Sequence, residues 1–290
     1  MSAPSYTFDS PDADMIIRAP CHPGDPKSTE FKDFHAHKVI LSTASTVFRD
    51  TFYIPQPPQP ANGGTDLPII HVTEPADVFD SFLRLIYPIE PPTINSIQMV
   101  DHLSQLAVKY MVDCVRTKLK QILMSPSFLS NDPIWVFVIA CRMDLDEEAR
   151  LAIPQTYRLD LVQDTPRTLL RAMTAEMYNR LLRSHAARRE ELLSILDRDK
   201  GVPCPYEGKC TCGSWFYTRL FKNIRLAVWE RPILDKQRLD LCLSRVEGRP
   251  KSACGLGPSC RVSVQVISAY FAGILDAIEE LDQDQVLEGG

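Results

Sequence analysis

The chain has 290 residues, 44% of them hydrophobic, and sets 32 Lys and Arg against 37 Asp and Glu for a formal net charge of -5. That length fits one large domain or two medium ones, with apolar content enough for a real core. The acidic balance gives no general basic face for nucleic-acid phosphates, and no apolar run approaches the roughly 20 residues of a membrane helix, so neither nucleic acid nor membrane is expected as a partner. The opening "MSAPSYTFDSPDAD" has neither the basic nor the apolar region of a secretory leader. We therefore expect an intracellular protein of cytoplasm or nucleus, not secreted, whose cysteines are mostly thiols.

In chain order, residues 1–11 carry Pro4 and Pro11 among Ser and Asp and read as a flexible tail. "DMIIRAP" (Asp14 to Pro20) is a short β-rich run stopped by proline. "FKDFHAHKVILSTASTVFRDTF" passes from an extended piece into helix, with Ser42 and Ser45 as a break and a restart. Tyr53 to Pro68 is too rich in proline and glycine for a regular element. "IIHV" (Ile69 to Val72) is a strand candidate. Helices follow over Glu74–Tyr87, Asn95–Tyr110 and around Val115, Leu119 and Leu123. Beyond residue 125 the pattern is helix after helix: Pro133–Cys141, Asp146–Ile153, a long stretch ending near Leu196, Trp215–Glu230, and Val262–Leu281. Trp215, Phe216, Tyr217 and Trp229 are expected in the core of their helix. The dense mixed charge from Arg183 to Lys200 reads as a solvated helix face.

The order of the first half resembles the BTB/POZ domain. That family runs from an Asp-led strand to F-x-A-H-K-x-x-L-x-x-x-S-x-x-F, then a strand with a helix ending I/L-Y, then L-A-x-K-Y. The matching residues are Asp14, Phe34, Ala36, His37, Lys38, Leu41, Ser45, Phe48, Phe79, Leu83, Tyr87, Leu106, Ala107, Lys109 and Tyr110. The first strand fits least well. The proline loop after Phe52 also looks like BTB chains of the fungal type. The resemblance implies an α+β fold, a small sheet flanked by helices, over residues 12–125. A mostly α-helical region over 126–290 follows it, BACK-like by analogy alone.

Several groups invite a chemical reading. His35 and His37 flank Ala36. On one extended strand they would share a face and reach one metal, but the helix begins here and turns the rings apart. The family pattern makes His37 a structural polar group at a helix start, with Asp14 the candidate partner of its ring. Cys204, Cys210 and Cys212 lie in a turn-rich loop near 203–213, and Cys254 and Cys260 in another. They read as thiols, with a structural zinc as the alternative, since zinc takes four converging ligands from two close pairs. No nucleophile elbow, Walker loop or dinucleotide fingerprint occurs, so no catalytic residue and no cofactor are expected. Pro55-x-x-Pro58 and Pro57-x-x-Pro60 fit an inserted surface loop better than a polyproline ligand.

The expected function is a non-enzymatic protein-interaction module with Phe48, Phe52, Tyr53 and the helix of Phe79 at the partner surface. Partners are other proteins: another BTB domain, or a cullin scaffold if the chain is a ubiquitin-ligase substrate adaptor. A zinc-stapled regulatory or nucleic-acid-associated protein is the third reading. The segment before Asp14 is short and proline-bearing, so strand-exchanged dimerisation is not expected. No Glu lies between Tyr53 and Pro68, where cullin-binding relatives carry an apolar-x-Glu step.

Overall fold

The computed structural model describes residues 6–22, 30–54, 67–198, 212–245 and 272–280. The chain divides into two compact units, Met1–Ala152 and Ile153–Gly290.

The first unit is built on a three-stranded sheet in the order β2-β1-β3. β1 (Met15–Pro20) is central, antiparallel to β2 (Phe31–Ala36) with Ile17 opposite Phe34, and parallel to β3 (Ile69–His71) with Ile17 opposite Ile70. Its centrality explains why Met15, Ile16, Ile17 and Ala19 are all buried, as a strand covered on both faces requires. β2 is an edge strand whose later residues alternate, Phe34 and Ala36 inward. Arg18 and Asp33 pair across the two strands through two bonds of 2.6 Å.

Among the described residues, seven helices and part of an eighth complete this unit. α1 (Lys38–Ala44) and α2 (Thr46–Tyr53) are separated at Ser45 alone. Ser42, expected to share in the break, lies inside α1. Ser45 ends one helix and caps the next, its hydroxyl accepting from Phe48 N at 3.0 Å. α3 (Ala76–Ile86) starts after Pro75, which fills its N-cap. α4 (Ile97–Lys109) starts at Ser96, whose side chain accepts from Met99 N at 3.1 Å. α5 (Asp113–Leu123) buries Val115, Leu119 and Leu123, the expected stripe. α6 (Pro126–Asn131) is a six-residue helix too short to show periodicity. α7 (Pro133–Arg142) is apolar nearly all round and buried, and α8 (Asp146–Thr156) contains the division between the units. The compact unit thus runs well past residue 125. The buried Asp101 of α4 accepts from the Arg142 guanidinium of α7 and from Gln105 Nε2 at 2.8 Å, which ties α7 into the first unit.

The expected tail is corrected from Tyr6 onward. Phe8 is buried, with its ring edge-on to Phe34 at 5.8 Å and Tyr87 at 5.3 Å, and its carbonyl accepts from His35 N at 2.9 Å. A single aromatic anchor outweighs the polar, proline-bearing composition around it.

In the second unit every regular element among the described residues is a helix. α9 (Arg167–Ala172), α10 (Ala175–Arg198), α11 (Cys212–Glu230) and α12 (Lys236–Ser244) precede helical residues 272–280. One core joins Leu192 and Leu196 to Leu220, Ile224 and Val228, and takes in Leu239, Ile274 and Ile278. The charged stretch of α10 is not simply a solvated face. Leu181, His185, Arg188, Leu192 and Leu196 recur at helical spacing and all are buried. The long guanidinium of Arg188 follows that stripe inward, over the Tyr157 ring at 5.9 Å and 3.6 Å from Glu191.

Candidate interaction surface

The motif residues build two polar nodes inside the first unit. At the first, α1 begins without a cap from its own His37 side chain. Asp14 supplies the missing acceptor by taking the N–H of Lys38 at 2.8 Å, a donor the first turn leaves free. Tyr87 Oη accepts the N–H of His37 at 2.9 Å and lies 3.3 Å from His37 Nδ1. The His37 ring therefore faces Tyr87 on one side and Asp12, 3.4 Å from Nε2, on the other. This corrects the expected His37–Asp14 ring contact: Asp14 serves the backbone, and Asp12 faces the ring. The phenol also carries a proton of its own, which Nδ1 accepts in the tautomer whose ring proton sits on Nε2. Burial pushes the Tyr87 phenol up to about 12, against the pull of the His37 N–H, so it keeps that proton throughout the physiological range. His35 lies on β2, beside the Asp33 carboxylate that Arg18 chiefly, and the His35 ring to a small extent, hold below its ordinary value. The two rings of the His-x-His thus serve separate neighbours.

The second node closes the far end of α4. Ser45 Oγ donates to the Tyr110 carbonyl, and Phe48 stacks on the Tyr110 ring at 4.7 Å. Tyr110 Oη donates to Glu74 Oε2 at 3.1 Å, while Lys109 Nζ pairs with Glu74 Oε1. Burial works to raise the Glu74 carboxyl, but Lys109, the backbone and Tyr110 outweigh it and hold the group below its ordinary value. Burial, and then the Glu74 carboxylate, push the Tyr110 phenol up. Glu74 was not foreseen from the sequence. The signal was the Lys109-Tyr110 pair itself, a cation and a donor that need a common acceptor when packed.

These nodes leave most of the motif unavailable to a partner. Phe34, Leu41, Leu83 and Ala107 are fully buried and Ser45 nearly so. Two expectations for the partner surface are corrected here. Phe79 is 0% exposed, with Phe34 at 5.8 Å, Phe82 at 5.9 Å and Tyr110 at 6.3 Å around it. Phe48 is buried against Tyr110. Of the expected contact residues, Phe52 is half-buried and Tyr53 is 82% exposed.

The exposed apolar surface falls between the motif positions. Val39, next to Lys38 in the motif, is 70% exposed. It borders a groove of about 410 Å³ formed with Ile40, Thr43 and Ala44 of α1, Ile86 at the end of α3 and Cys114 at the start of α5. None of these six side chains is charged. Lys118 donates to the Leu85 carbonyl at 2.7 Å, which holds α5 against the end of α3 beside this groove.

The other expected sites fall elsewhere. Cys204, Cys210, Cys254, Cys260 and the prolines 55, 57, 58 and 60 lie outside the described residues, as does the side chain of Cys212, which opens α11. Among the described residues no group of three or more metal-ligating side chains occurs, and Cys21, Cys114, Cys141 and Cys242 are thiols. No helix among the described residues is long and apolar enough to cross a membrane. In the second unit, Trp229 is 64% exposed where a core position was expected. The side chains of Trp215, Phe216 and Tyr217 lie outside the described residues.

Compared with known families, residues 28–127 match the BTB/POZ domain. The match begins after β1, the strand whose sequence fits the pattern least although it forms the centre of the sheet. No curated protein matches the chain at a significant level.

Proposed function

Starting from the BTB/POZ domain that this chain carries at residues 28–127, we propose that it is a non-enzymatic interaction module that pairs with another BTB domain through the α1 face. A second copy of the chain is the simplest such partner. The observation that carries this reading is the Val39 side chain standing exposed beside an uncharged apolar groove on the same face. A two-fold contact needs a surface complementary to itself. A protruding valine next to a hollow with Thr43 and Ala44 in its wall meets that need, and no exchange of strands is required. Full burial of one valine side chain contributes about 1.5–3 kcal/mol, so the two valines of such a pair supply a useful part of a modest affinity.

Cys114 offers the test, since its exposed thiol lines the groove. Alkylation of Cys114 should slow as protein concentration rises, while Cys21 in the same sample reacts at a constant rate. A Cys114 rate independent of concentration would exclude pairing of two copies through this face. The adaptor reading would use the same domain; retention on a cullin scaffold at low salt is its test, and failure to be retained would end it.

A further inference from the structure

We propose that the outer face of α11 is a second docking surface, for an acidic amphipathic peptide segment of a partner protein. It lies in the second unit and does not depend on the pairing proposed for the BTB domain.

α11 buries Leu220, Ile224, Ala227 and Val228 on one side. Its other side carries Lys222, Leu226 and Trp229, which follow each other at intervals of four and three and so share a face. Leu226 is 55% and Trp229 64% exposed, and with Phe221, Lys222 and Arg225 they form one shallow apolar hollow. Exposed leucine and tryptophan on one face are uncommon without a partner, and tryptophan and arginine are the side chains most enriched where binding energy concentrates.

Charge identifies the occupant. Arg219, Lys222 and Arg225 are all exposed along this helix, against the single exposed acid Glu230 at its end. Arg189 of α10 adds a fourth cation, its guanidinium 4.6 Å from the centre of the Trp229 ring. One acid, Asp197, pairs with Arg225 and holds that side chain in place between α10 and α11. A chain with net charge -5 has thus gathered cations around its exposed apolar residues. A helix or strand bearing Asp and Glu beside Leu or Phe matches that surface in both respects. Nucleic acid fits less well, because the hollow itself centres on aliphatic and indole surface.

The test uses the full chain and a labelled synthetic peptide of Glu, Asp, Leu and Phe in amphipathic order, with a twin in which Lys replaces each acid. Fluorescence anisotropy should show the acidic peptide binding, weakened by salt, and the basic twin not binding. Trp229→Ala should lose about tenfold in affinity, and Lys222→Glu should lose the acidic peptide and gain the basic one. Circular dichroism must show both variants folded; Leu226→Ala takes the place of either one that is not. Val39→Asp should bind the peptide as the unaltered chain does, which separates this surface from the α1 groove. Equal binding of both peptides, or unchanged binding by Trp229→Ala and Lys222→Glu, would overturn the proposal. So would binding of duplex DNA or anionic phospholipid vesicles, but not the peptide, through Lys222.

Discussion

His37 meets Tyr87 across 50 positions of sequence and Ser45 meets the Tyr110 carbonyl across 65, whereas the buried His185 of the second unit reaches only to Thr156, 29 positions away, at 2.9 Å. In the first unit the polar groups join strand, helix start and helix end, and each is matched to its partner by the fold. In the second most of them link helix to helix along an amphipathic pattern, although Arg231 reaches Asp164 across 67 positions at 3.3 Å. The contrast separates identity from availability. Most residues that mark the BTB domain are held inside by the fold, so the exposed apolar surface lies at positions between them, Val39 among them. The second unit has no such motif, and its exposed face is defined by charge.

The largest effect should come from cutting into the motif core. Phe79→Ala removes a ring packed on three others and should cost about 3–5 kcal/mol in urea unfolding. A cost under about 1 kcal/mol would mean that Phe79 is not the interior residue described above. Next comes a pH effect confined to the second unit. Burial, and then the Arg189 charge, lower His185 to about 4 from an ordinary 6.5. The unfolded chain takes up that proton near 6.5 and the folded chain only near 4. Stability is therefore unaffected by this group above that window and falls as pH drops through it, by at most on the order of 3 kcal/mol. His185→Gln keeps a partner for Thr156 and should flatten this decline in unfolding curves taken across the window. An unchanged decline would assign it to other groups.

Ser45→Ala should cost about 1–2 kcal/mol, because one hydroxyl caps α2 and satisfies the Tyr110 carbonyl. The smallest stability effect belongs to Val39→Asp, within about 0.5 kcal/mol at so exposed a position. That variant sharpens the contrast most, since it should spare the fold and abolish pairing.

The sheet, the helices from α3 to α5 and the place of His37 at a helix start follow from apolar spacing and the ordered motif. What escaped the sequence has physical causes. α6 is shorter than two turns and has no periodicity to read. Phe8 is a lone anchor in polar company, and composition averages it away. Arg188 and His185 complete an inward stripe whose other members are leucines, yet their charge assigns them outward. Trp229 shows the opposite error, an aromatic assigned to the core on type alone although the helical spacing of Leu220, Ile224 and Val228 already faced the other way. The α1 groove was missed because it exists only where α1, α3 and α5 meet, and nothing in any one segment marks it.

Pairing through the α1 face is tested most directly by the mass of the chain in solution, measured by light scattering behind a sizing column over a wide concentration range. The unaltered protein should rise from its 32.8 kDa chain mass toward twice that value as concentration increases, and Val39→Asp should stay at the mass of one chain with its unfolding midpoint intact. A single-chain mass for the unaltered protein at every concentration, or a Val39→Asp variant that pairs equally well, would contradict it.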